Sequence, residues 1–444
     1  MLVALCVLAV PAAGQAVRED FKLLPGDGSP EDQFGWSIAL GDGKVVVGAW
    51  LDDDNGAGSG SAYLFDAASG LQLAKLLPVD GAPGDQFGWS VAIGGGVVAV
   101  GAHLDDDNGP ESGGVYLFDA ASGAELRKLL PDDGAPDDQF GWSVSIDAGL
   151  VAVGSWRDDD GGSNSGSAYL FDAATGAQLV KLLPEDGAVN DLFGAPIAIR
   201  DGVVAVGSFS DDDNGPNSGS VYLFDAGTGA QLRKLLPDDG AEGDRFGRSI
   251  GLGGGIAAVT SFLDDDNGLD SGSAYLFDLG TGVQLAKLLP GDGAERDRFG
   301  YSIGLDAGVV VVGAAYDADN GGASGSAYLF DAATGVQLAK LLPRDGASGD
   351  RFGRTVALDA GVAGAGAYGG DDNGTNSGAA YLFDLRCLGV PRSDLNADGV
   401  LDNADINAFV AAYLAGDAGA DVNRDGVFDN GDIGDFVSAF LAGC

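Results

Sequence analysis

A Phe-Gly pair returns seven times in this chain at an unvarying interval. Its phenylalanine is Phe34, Phe87, Phe140, Phe193, Phe246, Phe299 and Phe352, each 53 residues after the last. A fixed period of that size marks one supersecondary unit that is stacked or arranged radially, because a single unit cannot bury its apolar faces alone. The second copy shows four strand-like runs: A at residues 87–93, B at 97–102, C at 115–119 and D at 125–130. Run B is rich in β-branched side chains, which favour strands. Gly94-Gly95-Gly96 turns A into B, Ala120-Ala121-Ser122-Gly123 turns C into D, and Pro131 stops D. Runs B and C are apolar at nearly every position, as in sheets covered on both faces. The expected fold is an all-β, seven-bladed propeller with four strands per blade.

The register of the copies predicts how the ring closes. An orphan D-like run, Phe21-Lys22-Leu23-Leu24, precedes the first Phe-Gly, and the last copy lacks D. The N-terminal strand should therefore complete the seventh blade and remove two open edges. Run D carries a lysine at one place in every copy: Lys22, Lys75, Lys128, Lys181, Lys234, Lys287 and Lys340. On an exposed outer strand these lysines would discourage edge-to-edge pairing.

Charge narrows the partners. The formal net charge is −44, which argues against nucleic acid, since phosphate backbones need Lys and Arg to neutralise them. Residues 1–16 form a short apolar run ending in small residues and read as a signal peptide. That run is too short to span a membrane, and no other segment qualifies. The expectation is a secreted protein, extracellular or attached to a cell surface. Cys6 leaves with the signal peptide, while Cys387 and Cys444 remain as a pair that export would oxidise to a disulfide.

The Phe-Gly opening, with Val47-Gly48-Ala49 and Val100-Gly101-Ala102 closing run B, resembles the FG-GAP repeat of integrin α-subunit propellers. Its bacterial branch, with SGSAYLFD-like third strands, is more similar still. The resemblance covers residues 21–384. Integrin propellers place calcium loops between A and B, but here that connection is only Gly41-Asp42-Gly43 or its equivalents, so those sites do not carry over. The acids lie instead in the B–C loops, such as Asp52-Asp53-Asp54-Asn55-Gly56, and in the D–A loops. In an up-and-down blade both loop families emerge at one end, so one face should be acidic. Three readings stay open: a solvated surface, weak Ca²⁺ sites, or carboxylates that meet a basic partner.

After residue 386 the repeat is gone, which divides the chain into residues 1–16, a propeller over 17–386 and a module over 387–444. The module holds two Asp-rich loops with EF-hand spacing, oxygen ligands at positions 1, 3, 5, 9 and 12 and Gly at 6. The first offers Asp394, Asn396, Asp398, the carbonyl of Val400, Asp402 and Asp405; the second offers Asp421, Asn423, Asp425, the carbonyl of Val427, Asp429 and Asp432. Two bound Ca²⁺ are expected. Each loop leads into one amphipathic helix, over 404–414 and 431–441, making a small all-α module. A pair of loops with exit helices and Asp at position 12 resembles a dockerin of the Gly-Cys-ended type. That resemblance implies docking onto a cohesin-like or cell-surface anchoring protein. Positions 10 and 11 are Asn403-Ala404 and Asn430-Gly431, unlike the Ser/Thr pairs of cellulosomal dockerins.

No catalytic constellation stands out. His103 is the sole histidine, and Trp50, Trp156 and Phe209 occupy its place in other copies. The leading expectation is a secreted, non-catalytic binding or adhesion propeller that presents its acidic face to a protein or glycan and is tethered by its dockerin-like module. The alternatives are a dockerin-borne polysaccharide-active protein and a structural surface-layer component.

Overall fold

Each repeat folds as a four-stranded antiparallel sheet because its short β-branched runs are separated by turns that demand left-handed backbone. In the first blade the strands are Ser37–Gly41 (A), Lys44–Ala49 (B), Ser61–Asp66 (C) and Gln72–Leu76 (D). The A–B turn places Asp42 at φ 55° and Gly43 at φ 69°, the mirror-image turn that matches strand twist. The computed structural model describes residues 16–385, 403–415, 433, 436 and 437. Within the larger of its two units, Ala16–Phe383, seven such sheets follow one another in order A-B-C-D. The A strands of adjacent sheets pack on each other, so A lies at the axis and D at the rim. This is the seven-bladed propeller that the period predicts.

The core lies between blades. Val46, Leu64 and Leu76 of blade 1 pack on Phe87, Val98, Val100, Tyr116 and Phe118 of blade 2. Val45 and Val47 point the other way, onto Leu23, Ala380 and Leu382 of the last blade. Alternate residues of one strand thus serve two cores, which is why B and C are apolar throughout. The motif glycine that closes strand B has a steric reason. A Cβ on Gly101 would lie 2.1 Å from the carbonyl oxygen of Gly141 in the next blade, inside any tolerable contact. Beside it Ser90 Oγ donates to that same carbonyl at 2.8 Å.

Closure follows the expected route. Phe21–Leu23 lies antiparallel to Ala379–Asp384, pairing Phe21 with Leu382, Lys22 with Tyr381 and Leu23 with Ala380. One addition was not legible. Ala16–Val17 runs parallel to Gln337–Leu341 as a fifth strand on blade 6, and Arg18 Nη1 donates to the carbonyl of Pro343 at 2.8 Å. The N-terminal segment therefore joins blade 6 as well as blade 7.

In the smaller unit the helix Asn403–Ala415 is present, and Ile433, Phe436 and Val437 are also helical. Phe409 stacks on Phe436, its counterpart in the second copy, with centroids 4.2 Å apart and planes at 5°. Both rings are buried. No described helix is long and apolar enough to cross a membrane.

Candidate functional site

The acidic loops are organised around the strand-D lysines. Lys75 Nζ lies 2.8 Å from Asp27, 2.9 Å from Asp52 and 2.6 Å from Asp54. Its ammonium also sits over the ring of Tyr63, whose hydroxyl is 3.0 Å from both Asp27 and Asp52. Asp27 comes from the D–A connection leading into the blade, and Asp52 and Asp54 from its B–C loop. The lysine thus ties the linker between blades to the blade it enters. The same cluster recurs around Lys128, Lys181, Lys234, Lys287 and Lys340. In the last blade Gly370 replaces the first Asp, and Lys22 holds Asp345 and Asp372, both at 2.5 Å.

This corrects the reading of these lysines as guards of an exposed edge. Their side chains are only 11–21% exposed, because the ammonium swings off the rim into the loop cluster. The remaining acids of the B–C loop are also engaged. Asp52 Oδ1 accepts from the amide of Asp54, and Asp53 Oδ1 accepts from that of Gly58. These are self-capped loops of the kind Asp readily builds. The point on which the carboxylates converge is filled by Nζ, and among the described residues no group of three or more Asp, Glu, His or Cys is arranged to hold a metal.

Titration divides the acids into two classes. Asp80 is raised by burial, but the Tyr116 hydroxyl and the Lys128 ammonium outweigh this and hold it below the usual range. By contrast, burial pushes Asp85 up to about 6, and the neighbouring charge of Asp105 adds to the effect. Asp32, Asp138, Asp191 and Asp244 behave like Asp85 and reach about 6 for the same reason.

The sevenfold symmetry breaks at the axial mouth, at the end of the blades where these loops emerge. The residue after Phe-Gly is Trp36, Trp89, Trp142, Ala195, Arg248, Tyr301 and Arg354 in turn. The residue before it is Gln33, Gln86, Gln139, Leu192, Arg245, Arg298 and Arg351. Blades 1–3 therefore contribute an aromatic arc, blades 5–7 a cationic one, and blade 4 separates them with Leu192, Ala195 and Pro196.

In the aromatic arc Trp36 lies 5.0 Å from Trp50 and 4.9 Å from Trp89, and Trp89 lies 4.7 Å from Trp142. Trp142 stacks on Trp156 at 4.2 Å. All five tryptophans of the chain are in this wall. Trp50 and Trp156 donate their indole N–H to Gln33 and Gln139, at 3.0 and 2.8 Å. His103 is buried between Trp89 and Trp142, and burial, then Arg157, pulls it down to about 3, so it stays neutral.

In the cationic arc the guanidiniums lie on rings. Arg354 is 4.3 Å from the centroid of Trp36 and 4.6 Å from Tyr301, Arg248 is 4.9 Å from Tyr301, and Arg298 is 4.6 Å from Tyr316. Among the described residues the arginine ion pairs are those of Arg200, Arg296 and Arg344, so these mouth arginines have no carboxylate partner. Burial works to raise the Tyr301 phenol, yet Arg354, Arg248 and Arg298 more than reverse it, and its pKa falls. The local potential is therefore positive in a chain of net charge −44. A cavity of 230 Å³ opens here, lined by Trp36, Trp89, Trp142, Arg248 and Arg354 with strand-A residues.

The sequence reading missed this mouth, although the signal was present: two positions that vary inside a near-perfect repeat. Of the proposed calcium ligands, Asp405 falls in the helix Asn403–Ala415. Asp394, Asn396, Asp398, Val400, Asp402, Asp421, Asn423, Asp425, Val427, Asp429 and Asp432 lie outside the described residues, as do Cys387 and Cys444.

None of the curated proteins matches this chain. The FG-GAP repeat family matches it seven times, over residues 17–65, 71–118, 124–171, 177–224, 230–277, 283–330 and 336–383. Each match begins at or near a D strand and ends within the next blade's C strand, the same offset that closes the ring. With the matches covering most of its length, the chain belongs to the FG-GAP repeat family.

Proposed function

We propose that this is an exported, non-catalytic binding propeller that takes its ligand at the axial mouth and is tethered through its C-terminal module. The observation that carries the reading is where the symmetry breaks. A purely structural ring has no need to gather every tryptophan into one arc and, into the other, arginines that have no carboxylate partner among the described residues. Half-buried aromatic rings beside a few placed polar groups are what binding sites use. The ligand then meets the centre of the acidic face, while the acids around it serve the blades.

Tethering rests on the module. Its two loops supply ligand sets for two Ca²⁺, and a cohesin-like or cell-surface protein is the partner its dockerin resemblance implies. Ile406, Val410 and Leu414 lie on one stripe of the helix and are 36%, 46% and 80% exposed; Ile433 and Val437 are 38% and 46% exposed. Apolar stripes repeated in both copies suit docking to another protein.

The test is capture by the full chain from defined glycan and protein panels, with and without Ca²⁺, beside a Trp89→Ala/Arg248→Gln variant. Mouth-dependent capture supports the reading, and capture unchanged in the variant overturns it. Release of sugar from a polysaccharide would establish instead the polysaccharide-active alternative.

A further inference from the structure

We infer that the axial mouth binds one terminal sugar residue bearing a single carboxylate, the uronate end of an acidic saccharide. This rests on the mouth being the binding site, and adds the chemistry of what enters it.

Three features select the ligand. The arginines supply fixed, planar donor forks, and guanidinium matches carboxylate geometry in a way a neutral ligand does not use. Stacking on Trp36 and Tyr301 holds Arg354 in place before any ligand arrives, which lowers the ordering cost of binding. Opposite stands a wall of half-buried indoles, amphipathic surfaces that meet the C–H face of a pyranose while their edges remain polar. The indole N–H groups of Trp36, Trp89 and Trp142 donate to no atom among the described residues, and the Gln86 amide is likewise unengaged. These are donors placed for ring hydroxyls.

Size and charge set the limits. The mouth cavity of 230 Å³ is below the range of pockets that enclose drug-sized ligands, about 300–1,000 Å³, and matches a single ring at the mouth, ahead of a 510 Å³ space that shares Ile38, Val91, Val144 and Ile250 with it. Around it each lysine cluster holds up to three carboxylates for one ammonium. Three strand spacings of about 4.8 Å put those clusters beyond a Debye length of about 8 Å from the axis, so it is the one-ring mouth and its guanidiniums that set the single charge, not the rim.

Tryptophan fluorescence of the full chain reads this directly, because Trp36, Trp89 and Trp142 line the mouth and the other two, Trp50 and Trp156, pack on them. The probes are a galacturonate trisaccharide, the neutral galactose trisaccharide, a heparin oligosaccharide and an acidic tetrapeptide. Saturable quenching by the galacturonate probe is expected, at least tenfold tighter than by the neutral sugar and weakened by salt. Arg248→Gln and Arg354→Gln should each weaken it about tenfold, with melting temperatures measured to show that both fold. Trp89→Phe, which keeps the ring and deletes the N–H, should weaken both sugars alike. Equal response to the neutral sugar, tighter response to heparin, or response to the peptide alone overturns the inference. In the last case mouth-dependent capture survives, and only the ligand class falls.

Discussion

At the scale of the residue, the lysine cluster decides what the acidic loops can do. Asp105 is almost fully buried and Lys128 nearly so, with side chains 4% and 14% exposed. Removing one partner of such a pair strands the other charge, at a cost of about 3–5 kcal/mol. Lys128→Ala should therefore lower the thermal midpoint. It also leaves Asp80, Asp105, Asp107 and the Tyr116 hydroxyl converging on an empty point, so millimolar Ca²⁺ should restore part of the loss in the variant and do nothing for that cluster in the parent. Calorimetry with and without Ca²⁺ checks this; no rescue would mean the loops cannot be made into a cation site. The buried acids give a pH prediction of opposite sign to the usual one. Asp85 and its four counterparts titrate near 6 when folded, above their unfolded value. Between about pH 4 and 6 the native state therefore binds more protons than the unfolded state, and stability rises as pH falls. Each tenfold gain in proton affinity is worth about 1.4 kcal/mol. Below about pH 4 the Asp80 class protonates and its contribution is lost. The midpoint should rise from pH 7.5 to about 4 and then drop; a monotonic fall from pH 7.5 contradicts it.

At the scale of the element, the N-terminal segment carries most of what is not local. Leu23 is 1% exposed and belongs to the core between the last blade and the first. Lys22 supplies the only ammonium of that blade's cluster among the described residues. Deleting residues 17–26 removes a strand, a clamp and part of a core, so the whole ring should lose stability, not one blade. The expected result is a single transition lowered by more than 10 °C, since 1 kcal/mol moves a domain of about 200 residues by only about 2–4 °C. A deletion variant that melts like the parent would show the closure to be dispensable. Leu23→Ala alone should cost about 3 kcal/mol.

At the scale of the molecule, stability and the proposed binding site use different parts of one repeat. Blade-to-blade cores, strand-B glycines and lysine clusters recur around the ring and hold it closed, while the positions flanking Phe-Gly are free to differ because they face the channel mouth. The C-terminal module gives the last prediction: the full chain should bind two Ca²⁺ by titration calorimetry, and Asp398→Ala with Asp425→Ala should abolish this, because carboxylate-rich loops bind calcium through such positions. Undiminished binding in that variant would place the calcium elsewhere. Sequence alone determined the blade number, the four strands, their turns and the closing strand, because each follows from local periodicity and from counting copies at a spacing of 53. It also showed a helix over 404–414 from apolar positions at helical spacing, which the structure gives as Asn403–Ala415. Only the tertiary structure decided what the lysines and aspartates do. Lys75 meets Asp27, 48 residues away, because the D–A connection crosses the end of the blade it enters, and no pattern within a strand encodes that contact. The mouth was decided in the same way. Trp36 and Arg354 stand 318 positions apart in the sequence and become neighbours because the circle brings the last blade beside the first.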